Sequence, residues 1–259
     1  MNSPISPPLA PWRPIEVQTT SLYRRDAGDP QARACLRCGM RGEALFGALD
    51  DPMLSDVHSH ITQIELQPGE ALFQVGQEGE AVFTLREGIV RFERATAGGT
   101  RRIIRLAGSG DLLGQELLLQ RPHQDDAIAC TAVALCRIPV SVVMHLGVLH
   151  PVLLRELMER WQQALEDSQA WLAELTSGTA RRRVLMLLAK LAQYGRPGEP
   201  LWVPRREEMG DMLNLTIETT SRQISQLRRE GVLRTVNRRH ALMDAAALQQ
   251  ALQREDATD

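Results

Sequence analysis

The chain has 259 residues, 43% of them hydrophobic and 24% charged, with a net charge of −2. That composition is globular, gives room for two modest cores, and contains no run approaching the roughly 18 apolar residues a membrane span requires. The charge is unevenly placed: between Thr179 and His240, thirteen Lys or Arg stand against six Asp or Glu, a net of +7, which leaves about −9 elsewhere. Such asymmetry fits either a polyanion partner for one half or a solvated arginine-rich surface.

The proline-rich start, MNSPISPPLAPWRPIE, lacks the basic-then-apolar profile of a signal peptide. Residues 1–34 are expected to be a tail of a cytoplasmic protein. In that compartment the four cysteines are not expected to form structural disulfides, so metal, redox and packing roles stay open.

Residues 35–146 read as a sensor barrel. Gly69, Gly76, Gly79, Gly88, Gly98-Gly99, Gly108 and Gly110 punctuate short runs such as Ala81–Leu85, Ile89–Glu93 and Arg102–Leu106. Strands with turn signals every 8–12 positions predict a barrel or jelly roll, and Gly98-Gly99 marks a hairpin. After Pro139 the pattern changes. Leu154, Leu157, Trp161, Ala164, Ser168, Trp171 and Leu175 recur at heptad spacing, predicting a dimerisation helix and hinge over 147–178.

Ser177-Gly178 breaks that helix and Thr179 caps the next. A separate helical unit with a wing is expected over 179–250, with 251–259 as a tail. Within it Leu201–Val203 is extended, Arg206–Leu213 and Ile217–Arg229 are helices around the turn Asn214-Leu215-Thr216, and LRTVNRRHALM forms a wing. The overall class is α+β.

The second helix of that pair has two chemically distinct faces. Ile217, Thr220, Ile224 and Leu227 fall on the side expected to be buried, and Glu218, Ser221, Arg222 and Ser225 on the other. Arg can bridge guanine O6 and N7, and Glu can accept from a cytosine amino group. The Glu–Arg spacing also fits an ordinary surface ion pair. Arg205, Arg206, Arg228, Arg229, Arg238 and Arg239, with Thr216 and Ser225, are placed to meet the phosphate backbone.

LQPGEALFQVGQEGEAVFTLREGIVRFE, GDLLG, CRIP and above all MGDMLNLTIETTSRQISQLRREGVL resemble the Crp/Fnr regulators from about Cys35 to Met243. The resemblance implies a cyclic-nucleotide-binding-like jelly roll, a long dimerisation helix and a winged helix-turn-helix. It implies as partners double-stranded DNA, RNA polymerase and a second copy, with no membrane and no enzymatic activity. Glu218, Ser221 and Arg222 match the Fnr branch's base-reading positions, which implies a TTGAT-like palindrome. Ile217 replaces the arginine of the cyclic-AMP branch.

Cyclic AMP is not expected as a ligand. The family's ribose-binding Gly-Glu reads Gly114-Gln115-Glu116 here, and its phosphate-binding arginine and hydroxyl fall on Asp125-Asp126, which would repel phosphate. Cys35, Cys38 and Cys136 align with ligands of the Fnr branch's [4Fe–4S] cluster, whereas the remaining ligand position falls on Ala44. Cys130, facing Cys136 across a short hairpin, or Glu43 would have to substitute. A reversible thiol switch, haem or another barrel ligand are the alternatives.

The near-fingerprint Gly108-x-Gly110-x-x-x-Gly114 fails on spacing, His58-x-His60 lacks partner ligands, and His123, His145 and His150 are scattered. No nucleophile–base set stands against the regulator reading, so the competing class is a non-DNA effector scaffold.

Overall fold

The computed structural model describes residues 60–96, 98–99, 101–196 and 198–257. The expected tail over 1–34 lies outside these residues. Among the described residues, eight short strands come first: β1 (Thr62–Leu66), β2 (Ala71–Phe73), β3 (Ala81–Glu87), β4 (Val90–Ala95), β5 (Arg101–Ala107), β6 (Leu112–Leu113), β7 (Asp126–Ala129) and β8 (Val133–Pro139). They pair antiparallel in two four-stranded sheets, ordered β1-β8-β3-β6 and β2-β7-β4-β5. Inward residues of both, including Phe73, Phe83, Leu85, Phe92, Leu113 and Leu135, close one core. This is the jelly roll expected from the strand spacing.

Helix α1 (Val140–Leu149) follows β8 directly, and Pro151 opens α2 (Pro151–Leu175) at a position that needs no N–H donor. The expected sensor boundary at 146–147 therefore falls inside α1. The expected seam on α2 is also divided. Leu157 packs with α1 against the outer face of the first sheet, while Trp171 and Leu175 enter the core of the C-terminal half. The apolar line left on the surface is Leu154, Met158, Trp161, Leu165 and Leu172, with Ser168 in register. Met158 is 62% exposed and Leu172 69%, whereas Trp171 is 9% exposed. Two apolar stripes run side by side along this helix, and heptad spacing alone does not tell which one meets its own chain.

The C-terminal half begins after Gly178, whose φ of 77° ends the preceding run. It comprises α3 (Ala180–Ala192), β9 (Leu201–Trp202), α4 (Arg206–Leu213), α5 (Ile217–Arg229), β10 (Leu233–Thr235), β11 (His240–Met243) and α6 (Ala245–Asp256). The strands form a small sheet ordered β10-β11-β9. The expected tail from 251 is instead the end of α6. Asp244 caps this helix by accepting from Ala247 N–H, Leu248 and Ala251 are buried, and Glu255 and Asp256 pair with Arg181 and Arg182 of α3 at 3.1 and 3.2 Å.

The tight α4–α5 corner depends on two residues. Asn214 takes a left-handed φ of 53°, and Leu215 N–H donates to Gly210 O at 3.0 Å. A Cβ on Gly210 would lie 2.7 Å from Leu215 O, so the corner closes only over glycine.

The C-terminal core reaches into the barrel. Ile89, Ile103, Leu106 and Cys130 join Trp171, Leu175, Leu188, Met209 and Leu213 in one cluster. The helix-turn-helix is thereby packed against the outer face of β4 and β5.

Candidate nucleic-acid interface and sensor cavity

Helix α5 is opened by Thr216, whose hydroxyl accepts from Thr219 N–H at 3.2 Å. Thr220, Ile224 and Leu227 are buried, and Thr220 donates to Thr216 O at 3.0 Å. Ile217 departs from expectation: it is 47% exposed, because the first turn projects beyond the core that holds the rest of the helix. It stands at the outer end of the helix with Glu218 and Arg222, both exposed, and Ser221, half-buried. Glu218 in the first turn and Arg228 and Arg229 in the last match the helix dipole.

The arginines sort by what they touch. Arg205, Arg228, Arg229 and Arg238 are exposed, and none of them, nor Arg206 or Arg222, has an ion-pair partner among the described residues. Arg206 is half-buried; burial and the neighbouring positive charge of Arg228 hold it below the usual arginine range. Two guanidiniums held together without an acid favour an incoming anion.

Arg239 is different, and its expected place on the phosphate backbone meets a competing contact. Its guanidinium donates to Glu208 at 2.5 and 3.3 Å and lies over the Trp202 ring. Glu208 also accepts from Arg205 N–H at 2.6 Å and faces Arg91 of β4 at 3.7 Å. Burial opposes its ionisation, but the hydrogen bonds from Arg239 and Arg205 N–H and the charges of Arg239 and Arg91 hold its carboxyl below the usual range. Glu208 is absent from the residues expected to matter, although an acid three residues past a helix cap is a recognisable signal.

In the barrel, a cavity of about 410 Å³ is lined by Phe73, Phe92, Arg105, Glu116, Asp125 and Ser168 of α2, among others. Its acids Glu116 and Asp125, and Asp126 next in the chain, already have partners. Glu116 meets buried His123 Nδ1 at 2.5 Å, and His123 stacks on Phe73. Asp125 takes a bidentate contact from Arg94 at 2.6 and 3.1 Å. Asp126 accepts from Val75 N–H at 2.8 Å and Arg101 at 2.7 Å. In the sequence His123 looks like one of several scattered histidines because Glu116, seven residues before it, forms no recognisable motif with it and Phe73 comes from β2.

The cysteines are separated by the fold. Cys136 lies in β8 between Gln63 and Thr84 and packs on the α1–α2 side of the barrel. Cys130 follows β7 in the other sheet and is buried in the core shared with the C-terminal half. Burial pushes its thiol up to about 12, with Arg91 opposing. Cys130 therefore does not face Cys136, and its environment disfavours the thiolate a metal ligand needs. No group of three or more His, Cys, Asp or Glu placed to hold a metal occurs among the described residues. Cys35, Cys38, Glu43 and His58 lie outside those residues.

A barrel with a cavity, a long helix with an exposed apolar line, and a winged helix-turn-helix whose outer arginines lack ion-pair partners among the described residues fit a DNA-binding regulator with an attached sensor. Residues 63–147 match the model of the cyclic nucleotide-binding domain, and residues 182–251 that of the Crp-like helix-turn-helix domain. The chain belongs to the Crp/Fnr family of transcription regulators and is not an enzyme.

It is 28% identical over 218 residues to a probable transcriptional activator of Rhizobium leguminosarum bv. viciae, covering 81% of this chain and 89% of that one. It is also 28% identical to the transcriptional activator protein FnrA of Stutzerimonas stutzeri, over 71% of this chain and 77% of that one. Among solved structures, FixK2 from Bradyrhizobium japonicum shares the fold with a TM-score of 0.66 at 23% identity, over 74% of this chain and 96% of the other. A Crp-family transcriptional regulator from Thermus thermophilus gives 0.62 at 26% identity, over 73% and 96%.

The Glu208 contacts generate a pH prediction. Because its carboxyl is held below the ordinary value of 4.5, the stability it contributes is present above that value and is lost as pH falls through the folded-state pKa. Urea unfolding of the wild type and Glu208→Gln should show a gap at pH 7 that narrows below about pH 4.5. A gap independent of pH would assign the effect to packing.

Proposed function

We propose that this regulator works as a homodimer in the cytoplasm, reads a TTGAT-like palindrome and answers to oxygen or redox state rather than to cyclic AMP. The observation that carries the reading is the outer face of α5. Glu218, Ser221 and Arg222 stand clear of the core, flanked by Arg205, Arg206, Arg228, Arg229 and Arg238 without acidic partners among the described residues. In this reading Glu218 and Arg222 contact base edges, with Thr216 and Ser225 meeting the backbone beside the arginines. RNA polymerase would be the partner that turns occupancy into transcription.

Arg222→Ala should lose preference for the palindrome, about 1–3 kcal/mol per half-site, and retain most salt-sensitive binding to random duplex. Fluorescence anisotropy on both duplexes checks this. Equal weakening on each would remove Arg222 from base reading.

For assembly, the line of Leu154, Met158, Trp161, Leu165, Ser168 and Leu172 is the face we assign to the second copy. Its 4-3-4-3-4 spacing suits a helix pair. Leu165→Glu with Leu172→Glu should give a monomer in light scattering with weakened operator binding, whereas Trp171→Glu should lower the unfolding midpoint. A double variant that stays dimeric places the interface elsewhere.

For the signal, relatives named "Transcriptional activator protein FnrA" and "Fumarate and nitrate reduction regulatory protein" support an oxygen or redox input. In this reading Cys136 would join Cys35 and Cys38 as a ligand, with Glu43 rather than the buried Cys130 as the fourth. A [4Fe–4S] group held there would supply an oxygen-labile charge near α1 and α2. Cyclic AMP would have to displace the Arg94–Asp125 and His123–Glu116 pairs. Protein purified anaerobically should absorb broadly near about 400 nm and bleach in air, and Cys38→Ser should be colourless. Colourless, iron-free wild-type protein overturns the cluster.

A further inference from the structure

One chain of alternating charges runs from the barrel to the wing. Asp126 of β7 accepts from Arg101 at 2.7 Å, and Arg101 faces Glu93 at 3.6 Å. Glu93 accepts from Arg91 Nε at 2.6 Å, Arg91 faces Glu208 of α4 at 3.7 Å, and Glu208 binds Arg239 of the wing at 2.5 Å. Beside it, Arg102 of β5 donates to Asn214 Oδ1 at 3.0 Å, in the turn that launches α5. The far end of the contact is tight. Tyr194 donates to Leu106 O at 3.3 Å, and its ring lies where a Cβ on Gly108 would be, 2.0 Å from Cδ1.

We propose that the outer face of β4 and β5 is a clamp that holds the helix-turn-helix in its DNA-competent orientation, through Arg91–Glu208–Arg239 and Arg102–Asn214. Two features support this direction. The docked arrangement leaves Glu218, Arg222, Arg228 and Arg238 exposed, so docking does not cover the face assigned to DNA. The contacts fall on the N-terminus of α4, the turn before α5 and the wing, the elements whose relative pose decides whether α5 enters a groove. A domain free to swing about Gly178 would spread over many poses, and operator affinity would fall with the fraction in the right one. The barrel then acts on α5 across β4 and β5 directly, beyond whatever reaches it through α2. The inference rests on DNA binding by α5, and its first test needs no DNA.

Cys130 reports the state of the clamp. It is 5% exposed, buried beneath the joint, and accessible only when the two halves part. Full-length protein is alkylated anaerobically with iodoacetamide, and modification at Cys130 is followed by fragment mass spectrometry. Arg102→Ala, which lies away from the assigned DNA face, should raise the Cys130 rate about threefold to tenfold, as loss of one such hydrogen bond allows. A duplex selected from a random pool by the wild type should slow the wild-type rate. By linkage, the same duplex should slow Cys130 modification in Arg102→Ala as well, and the variant's affinity should fall in proportion to the docked fraction it has lost.

Arg91→Gln gives an independent check. It removes the charge that favours the thiolate, so any acceleration reports opening rather than a more reactive thiol. Acceleration of Cys130 modification by bound duplex would make the docked form the inactive one and overturn the proposal. So would rates and affinities within about twofold of wild type for both variants. Failure of the DNA arms with faster modification in the variants would leave a clamp unconnected to DNA binding, which also overturns it; failure of Arg222→Ala to alter base preference would bear on the reading face alone.

Discussion

Trp171 and Leu175 are buried in a core that neither half of the molecule completes alone. Their neighbours are Leu185, Leu188 and Met209 from the C-terminal half and Ile89, Ile103 and Leu106 from the barrel. Burying one such side chain contributes roughly 1.5–3 kcal/mol, so this cluster outweighs any single ion pair at its rim. It fixes the end of α2 against both halves and thereby orients the helix-turn-helix. The same packing constrains any conformational response. Moving the reading helix far requires opening apolar surface, so a signal acts most economically on the polar rim, where single contacts of modest strength decide between neighbouring poses.

Legibility in the sequence follows the range of the forces involved. The bounds of α4 and α5 are readable because local chemistry sets them: Thr216 caps, Asn214 turns left-handed, and Gly231 has a φ of 81°. The jelly roll is readable from turn spacing. The two faces of α2 are not, since Leu157 and Trp171 share their periodicity with Trp161 and differ only in what lies opposite. The end of α6 is hidden for a related reason: Glu255 and Asp256 look like a charged tail until Arg181 and Arg182 are placed beside them. Cys130 is misleading in the sequence because the core that buries it is built from distant segments, and His123 because its stacking partner Phe73 is fifty residues away.

Those acids also revise the electrostatic footprint. The +7 counted over Thr179–His240 omits the end of α6, which neutralises part of α3. Arg181 takes a further partner in Glu230, and Arg239 is held by Glu208. The positive surface is therefore narrower than the composition suggests. It is concentrated on the N-terminus of α4, the length of α5 and Arg238 at the wing tip. A narrow field loses strength within about 10 Å at ordinary salt, so it favours close, oriented contact over long-range attraction.

The barrel argues in the same direction about the signal. Its cavity persists, but Arg94 is neutralised by Asp125, and Glu116 is engaged by His123. A cyclic phosphate entering there would have to separate Arg94 from Asp125 and then meet that carboxylate unpaired. Next to Asp125 in the chain, Asp126 pairs with Arg101, which leads through Glu93 and Arg91 to Glu208. Charge introduced or removed on the barrel side of this chain can be felt at the wing without a ligand filling the cavity. An input at Cys136, which lies in the other sheet, would act instead on α1 and α2, against which that side of the barrel packs, and so along the helix that carries the exposed apolar line.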